Sequence, residues 1–384
     1  MLERLKILDF TTLLPGPFAT LYLADMGAEV LRITAPDRVD LVSELEPKIE
    51  GTGAAEAYLG RNKRTMTLNL KTEEGVDIVE KLIADKGYDI VIEQFRPGVM
   101  DKLGLSYDTL SAICPNLIYL SLTGYGATGP YRLRAGHDIG YLAKAGLYSH
   151  SGRADAIPTP LGTQIADLSG SLNAVIAILA AVEKRNAGHG GSYIDLSMFD
   201  CALPWNSLDS YTYLAGGELP APEEGLLNGG SLYDLYETKD GKTLAMGALE
   251  PKFFANFANL IGKGAWAQDG ATATEHKEEL REIIRTRTAD EWKKLFAVAD
   301  TCVEVAQTVE EVAEDPQTIA RGMIVDVPVG ETSVRQWAHP ILVDGERPRV
   351  RRVGKKAGTD TPYVLAELGY TDEEIGYLVE DGIV

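Results

Sequence analysis

The sequence predicts an α/β fold, with a large domain built on a parallel sheet and a smaller α+β domain joined to it by linkers. Two observations predict the large domain. Short apolar runs recur through the first 124 residues, and stretches with helical spacing separate them. A third observation predicts the division. The stretch GGELPAPEEGLLNGG, residues 216–230, is rich in Gly, Pro and Glu and reads as a linker.

The elements follow in order. Residues 5–10 form a strand and 17–27 a helix, with Pro17 early and Gly27 at its stop. Residues 29–33 are the next strand. In 75–86, Val76, Val79, Leu82 and Ile83 recur about one turn apart, which is a helical face. Residues 89–93 are a strand, 107–113 a short helix and 117–122 another strand. This β-α-β rhythm implies parallel pairing with helices on both faces. From Asp167 the pattern changes. Residues 172–185 read as a buried helix with a charged end, and GSYIDLSMFD as a strand. Beyond the linker, TLAMGAL is a strand, KFFANFANLIG, 277–288 and 290–299 are amphipathic helices, and MIVDVPV is a strand. The C-terminal TPYVLAELGYTDEEIGYLVEDGIV has a capping Thr and a Leu-rich helical pattern. The expected domains are therefore 1–215, the linker 216–230, a small domain 231–328, and a return segment 329–384 that completes the large domain.

Composition narrows the function. The chain has 384 residues and a formal net charge of -20, which repels phosphate backbones and anionic membranes. Neither a nucleic acid nor a membrane is expected as a partner, and no run approaches the roughly 20 apolar residues of a membrane helix. The start, Met1-Leu2-Glu3-Arg4, lacks the basic and then apolar pattern of a secretory signal. With three scattered cysteines, Cys114, Cys201 and Cys302, a reducing cytoplasm is expected. The five histidines show no metal-ligand spacing, so no metal is expected.

Residues 121–141, SLTGYGATGPYRLRAGHDIGY, contain Gly124, Gly126 and Gly129, a literal G-x-G-x-x-G after an apolar strand. A dinucleotide site needs a helix to open inside that motif and an acid about 20 residues on. Neither is present. The glycines are expected instead to shape a loop at the C-terminal end of a strand, where α/β sheets bind ligands, and to deliver His137 there.

The segments LDFTTLLPGPFATLYLADMGAEVLRI, RNKRTMTLNLKTEEG, VIEQFRPGVMDKLGL, LTGYGATGP, AGHDIGY, PLGTQIADLSGS, GALEPKFF and the YVLAELGYTDEEI end resemble, in order, the family III CoA-transferases. More narrowly, they are similar to the alpha-methylacyl-CoA racemase branch. The resemblance implies a Rossmann-like large domain that holds coenzyme A as part of an acyl-CoA substrate, with no further cofactor for catalysis. It implies that Arg61, Asn62, Lys63, Arg64, Leu68, Lys71, Gln94, Phe95, Arg96 and Lys102 border the CoA site. The RNKR run is also the densest basic cluster near the expected sheet edge, suited to phosphates. Ala35 stands where relatives often carry a basic residue, so Arg32 or Arg38 is expected to compensate.

The resemblance also divides the chemistry. Transferases use an aspartate, here Asp167, as a covalent nucleophile. Racemases use it for proton transfer with a histidine, here His137, and a glutamate, here Glu250. All three are present, which favours epimerisation of 2-methylacyl-CoA thioesters over transfer of CoA between acids. Exchange of the α-proton needs a base on one side of a planar enolate and an acid on the other. Backbone N–H groups at LSGS, after Asp167, are expected to steady the enolate. By sequence alone Asp167 also reads as an N-cap or first-turn acid, Glu250 as an exposed acid before Pro251, and Asp138 and Tyr141 as loop supports. A CoA-ester-binding protein without catalysis is the third reading. The resemblance further implies an interlocked homodimer. The acyl group, whether branched fatty, bile-acid-like or short, is left open.

Overall fold

A computed structural model describes residues 1–49 and 51–384. By its packing the chain divides into two units. One comprises Met1–Tyr141, Thr163–Ala202 and Gln317–Val384, the other Leu142–Gly162 and Leu203–Pro316. The expected linker, 216–230, lies within the second unit.

The first unit is built on a six-stranded parallel sheet. Its order is Arg64–Thr67, Glu29–Thr34, Lys6–Phe10, Ile90–Glu93, Ile118–Thr123 and Ser192–Ser197. In chain order this is 3-2-1-4-5-6, so the direction of winding reverses between Lys6–Phe10 and Ile90–Glu93. Ile7, Leu8, Ile90, Val91, Ile92 and Leu120 are fully buried. Burial on both faces is why these strands read as unbroken apolar runs rather than alternating ones. Arg64–Thr67 was not expected as a strand, because its four residues, RTMT, carry no apolar run. Parallel pairing with Glu29–Thr34 supplies what its own sequence does not.

Helix Pro15–Asp25 opens on Pro15 and Pro17, whose missing N–H groups cost nothing in a first turn. Helix Glu73–Ala84 is capped by Thr72, whose hydroxyl accepts the Gly75 N–H at 3.1 Å. Gly75 is required there, since a Cβ would lie 2.1 Å from the Asn69 carbonyl oxygen. Val364 and Leu365 of a C-terminal helix and Ile383 of the following tail close the same core. Thr371 and Glu374 form a capping box on the last of them.

Helix Ile165–Lys184 begins seven residues before the expected 172. Ser169, Gly170 and Ser171, expected as donors at the helix start, are the close-packed face of its first turns. The Ser169 hydroxyl donates to the Cys201 carbonyl at 2.8 Å and that of Ser171 to the Pro15 carbonyl at 2.7 Å. A Cβ on Gly170 would stand 2.9 Å from the Met198 side chain. With its continuation to His189 this helix is, by length and composition alone, apolar enough to cross a membrane, contrary to the expectation that no run is. Half of its most apolar window is buried, and it packs on helix Pro15–Asp25 and strand Ile118–Thr123.

The second unit holds an antiparallel sheet of Val303–Val305, Thr243–Met246 and Asp234–Glu237. Phe254, Phe257, Leu280, Trp292 and Phe296 form its core. Helices Lys277–Ile284 and Ala289–Phe296 are each shorter than expected. A Thr288–Glu291 capping box starts the second of these. The strand Ile324–Val329 pairs with Thr332–Trp337 as a hairpin of the first unit, which resumes at Gln317.

Candidate functional site

The switch point opens a crevice at the C-terminal ends of Lys6–Phe10 and Ile90–Glu93, the place where open α/β sheets take ligands. A cavity of about 650 Å³ lies there. Phe10, Leu13, Ile33, Leu68 and Phe95 give it an apolar wall, and Arg38, Lys71 and His137 stand at its margin. Gln94 spans the switch point, its side-chain oxygen accepting the Gly16 N–H at 3.3 Å. Behind it, Glu93 accepts the Phe95 N–H at 2.7 Å, and burial pushes its carboxyl up to about 7.

No helix opens within the glycine loop, so it lacks the feature a dinucleotide fingerprint needs. Its glycines admit Tyr141. A Cβ on Gly124 would sit 2.4 Å from the Tyr141 hydroxyl, and one on Gly136 would sit 2.5 Å from the ring. Gly126 and Gly129 have φ of 83° and 77°, the left-handed turns that let the loop fold back. The Asp195 carboxylate accepts the Ala127 N–H at 2.9 Å and pins the loop to the edge strand.

Next comes His137, exposed, whose carbonyl accepts the Gly140 and Tyr141 N–H groups at 2.9 and 3.2 Å and so starts helix Asp138–Lys144. Asp138 turns inward. Its Oδ1 accepts the N–H groups of Ala166 and Asp167 at 2.7 and 3.2 Å. One carboxylate oxygen thus ties the residue after His137 to the backbone of Asp167. Both N–H groups belong to a helix first turn, which favours an anion. Burial first, and then the charge of Asp138, pushes the half-buried Asp167 carboxyl up to about 7. The expected enolate donors at LSGS are not available. Leu168 donates to the Gln164 carbonyl, and the following N–H groups lie inside the helix. Of the free donors at the helix start, Asp138 takes those of Ala166 and Asp167.

A second cavity, about 270 Å³, shares Phe95 and His137 with the first. It is bounded by Gln94–Pro97, by Leu122–Gly124, by Tyr141 and Met198, and by Arg132 and Arg134 of the glycine loop. Asp167 lines neither cavity. Arg132 and Arg134 carried no sequence motif. Their only signal was a place in the same loop as His137, five and three residues before it.

The basic run faces the other way. Asn62 takes a φ of 62°, and this turn sends its neighbours inward. Arg61, only 1% exposed, pairs with Asp25 at 2.6 Å, and Asn62 donates to the same carboxylate at 2.7 Å. Lys63 lies 3.6 Å from Asp9 and donates to Thr20 at 2.7 Å, and burial pulls its ammonium down to about 8. Arg64 forms a forked pair with Glu367 at 2.9 and 3.0 Å. None of the four lines either cavity. Arg32 is likewise buried between Asp40 and Glu56, so of the two residues expected to compensate for Ala35, only Arg38 reaches the crevice. Lys71 is exposed at the margin, 3.9 Å from Asp37, and Lys102 is exposed on the short helix Val99–Lys102. In the second unit, Glu250 is the exposed N-cap of helix Pro251–Leu260, and its side chain makes no capping bond.

A doubly wound α/β unit with a ligand crevice at its switch point is the class that the fold defines. The chain belongs to the CoA-transferase family III, whose family model matches residues 2–361. The alpha-methylacyl-CoA racemase of Mus musculus is 32% identical, over 100% of this chain and 97% of its own. The succinate–glutarate CoA-transferase of Agrobacterium fabrum is also 32% identical, over 96% of this chain and 95% of its own. A CAIB/BAIF family protein from Brucella suis has a similar structure, with a TM-score of 0.82 at 30% identity, covering 96% of this chain and 99% of that one. The relatives are therefore named for two chemistries on one fold.

Proposed function

We propose that the protein is a racemase of 2-methylacyl-CoA thioesters that works by α-proton removal and return. The observation that carries this reading is the Asp138 clamp, which fixes the chain beside His137 to the backbone of Asp167. In one direction the His137 imidazole takes the α-proton and the protonated Asp167 carboxyl delivers one to the opposite face. In the other direction the roles exchange. A carboxyl titrating at about 7 offers both states near neutral pH. The thioester itself acidifies the α-carbon, so the reaction needs no further cofactor. Coenzyme A would lie along the larger cavity, its apolar portion on Leu68 and Phe95 and its phosphates met by Arg38 and Lys71 at the margin, with Arg96 and Lys102 entering by resemblance. Glu250 enters by resemblance alone, as a group that tunes the His137 proton. A cytoplasmic homodimer belongs to the same proposal.

The second reading is CoA transfer, with Asp167 attacking the thioester carbonyl to form an acyl anhydride and release CoA thiolate. A relative of equal identity that bears a transferase name favours it.

The test is exchange in D2O on (2R)- and (2S)-2-methylacyl-CoA with no acceptor acid present. We expect α-deuterium and loss of configuration, falling about 10²–10⁴-fold in His137→Ala and Asp167→Asn. Removal by one residue and return by the other both require a single proton on the His137–Asp167 pair, so the two epimers should share one bell-shaped pH profile with a limb near pH 7. Absence of exchange, together with CoA passing to a free acid and an adduct on Asp167, would replace this reading with transfer.

A further inference from the structure

We propose that Asp40 is a positioning residue of the crevice: it holds Leu13 in a left-handed turn and so keeps the crevice wall in its ligand-ready shape. This rests on the proposed function only in taking the crevice as the site of coenzyme A, whichever reaction follows.

Leu13 lies just beyond strand Lys6–Phe10, at the switch point, and borders the larger cavity. Its φ is 62°. A Cβ makes that region unfavourable. Gly enters it freely, and Asn and Asp do so with help from their own polar side chains. Leucine has no such help, so a group from elsewhere must hold the turn. Asp40 is that group. Its Oδ2 accepts the Leu13 N–H at 2.9 Å from 27 residues along the chain.

Asp40 is itself fixed in place. Its Oδ1 accepts the Val42 N–H at 3.1 Å and caps the short turn Leu41–Glu44. Its Oδ2 also accepts Nη2 of Arg32 at 2.7 Å. Arg32 is buried on strand Glu29–Thr34, and its other terminal nitrogen binds Glu56. A strand of the sheet thus aims one carboxylate at one N–H. Asp40 and Leu13 stand on the loops that follow two adjacent parallel strands, and both border the larger cavity. The bond between them ties those loops together at the cavity wall. The turn also sets the start of helix Pro15–Asp25. There the Pro15 carbonyl accepts the Ser171 hydroxyl at 2.7 Å, and the same hydroxyl donates to the Asp167 carbonyl at 2.8 Å. The tie therefore bears on the helix that carries Asp167.

Without the tie, the turn relaxes in the free protein, and affinity falls with the fraction that stays left-handed. Leu13→Gly removes the bias against that state, whereas Leu13→Ala removes the same side chain and keeps the bias. Binding of CoA is measured by calorimetry on the full-length protein. Asp40→Asn keeps the volume and the cap on Val42 but puts an amide nitrogen toward Leu13 and Arg32. Asp40→Ala is the second variant. We expect either one to weaken CoA binding by about tenfold, with native Leu13 and with Leu13→Ala alike, but by under about threefold with Leu13→Gly. The two Leu13 variants are compared at the same Asp40 substitution, so a general loss of stability around Arg32 is common to both. An equal loss in all three backgrounds would overturn the proposal. So would a loss in Phe95→Ala, which removes crevice wall without touching the tie, with none in Asp40→Asn. CoA affinity unchanged in both Phe95→Ala and Asp40→Asn would retire the crevice as the CoA site, and this proposal with it.

Discussion

Two basic clusters flank the crevice, and they behave oppositely. Residues 61–64 are contiguous in sequence, yet Arg61, Asn62 and Lys63 point into the protein onto Asp25, Asp9 and Thr20. Arg96, Arg132 and Arg134 are dispersed in sequence, yet they gather around one cavity with no acidic partner among the described residues. Density of charge along a chain therefore says little about availability. A single left-handed turn at Asn62 and a helix carrying Asp25 are enough to internalise the first cluster. The second cluster sits on loops beyond strand ends, and its three guanidiniums are exposed.

Breaking one partner of a buried ion pair leaves the other uncompensated, and this sets the largest expected effect. Arg61→Ala should lower stability by about 3–5 kcal/mol in denaturant unfolding, because Asp25 is fully buried. A variant of full stability that instead lost affinity for CoA would break the contrast. Next in size is Arg96→Gln. Its CoA affinity should fall by about tenfold, the worth of one charge-assisted contact, with stability changed by under about 0.5 kcal/mol. A large drop in melting temperature would show that Arg96 is structural after all. The smallest effect is expected for Lys71→Gln. This exposed ammonium already has Asp37 nearby, so CoA affinity should fall only a few-fold, and less at high salt. A loss insensitive to salt would mean that Lys71 is drawn into a desolvated contact on binding.

Much of the sheet was legible because its strands are buried on both faces, and unbroken apolar runs such as Ile90–Ile92 and Leu117–Leu120 have few other uses. Arg64–Thr67 was not legible, since its strand character comes from its neighbour's edge. The start of helix Ile165–Lys184 was hidden for a related reason. Ser169, Gly170 and Ser171 are chosen for close approach to Pro15, Met198 and the Cys201 carbonyl, and small polar residues chosen for contact look the same as those chosen for turns. At the site, His137 and Asp167 stood out through their motifs, as did the plain role of Asp138 and Tyr141 as supports. The inward turn of the basic run was illegible, because it depends on a buried Asp25 some 36 residues away. The grouping of Arg132 and Arg134 with Arg96 depends on two strand ends meeting.

The Asp138 clamp has one more consequence. The chain leaves the first unit after Tyr141 and re-enters it at Thr163, so His137 and Asp167 stand at the two mouths of a detour. Two hydrogen bonds from one carboxylate close those mouths on the first unit's side. The detour can then lengthen, shorten or change its sequence over evolutionary time while the paired residues keep their places. A lineage could thus retune residues 142–162 without moving His137 or Asp167.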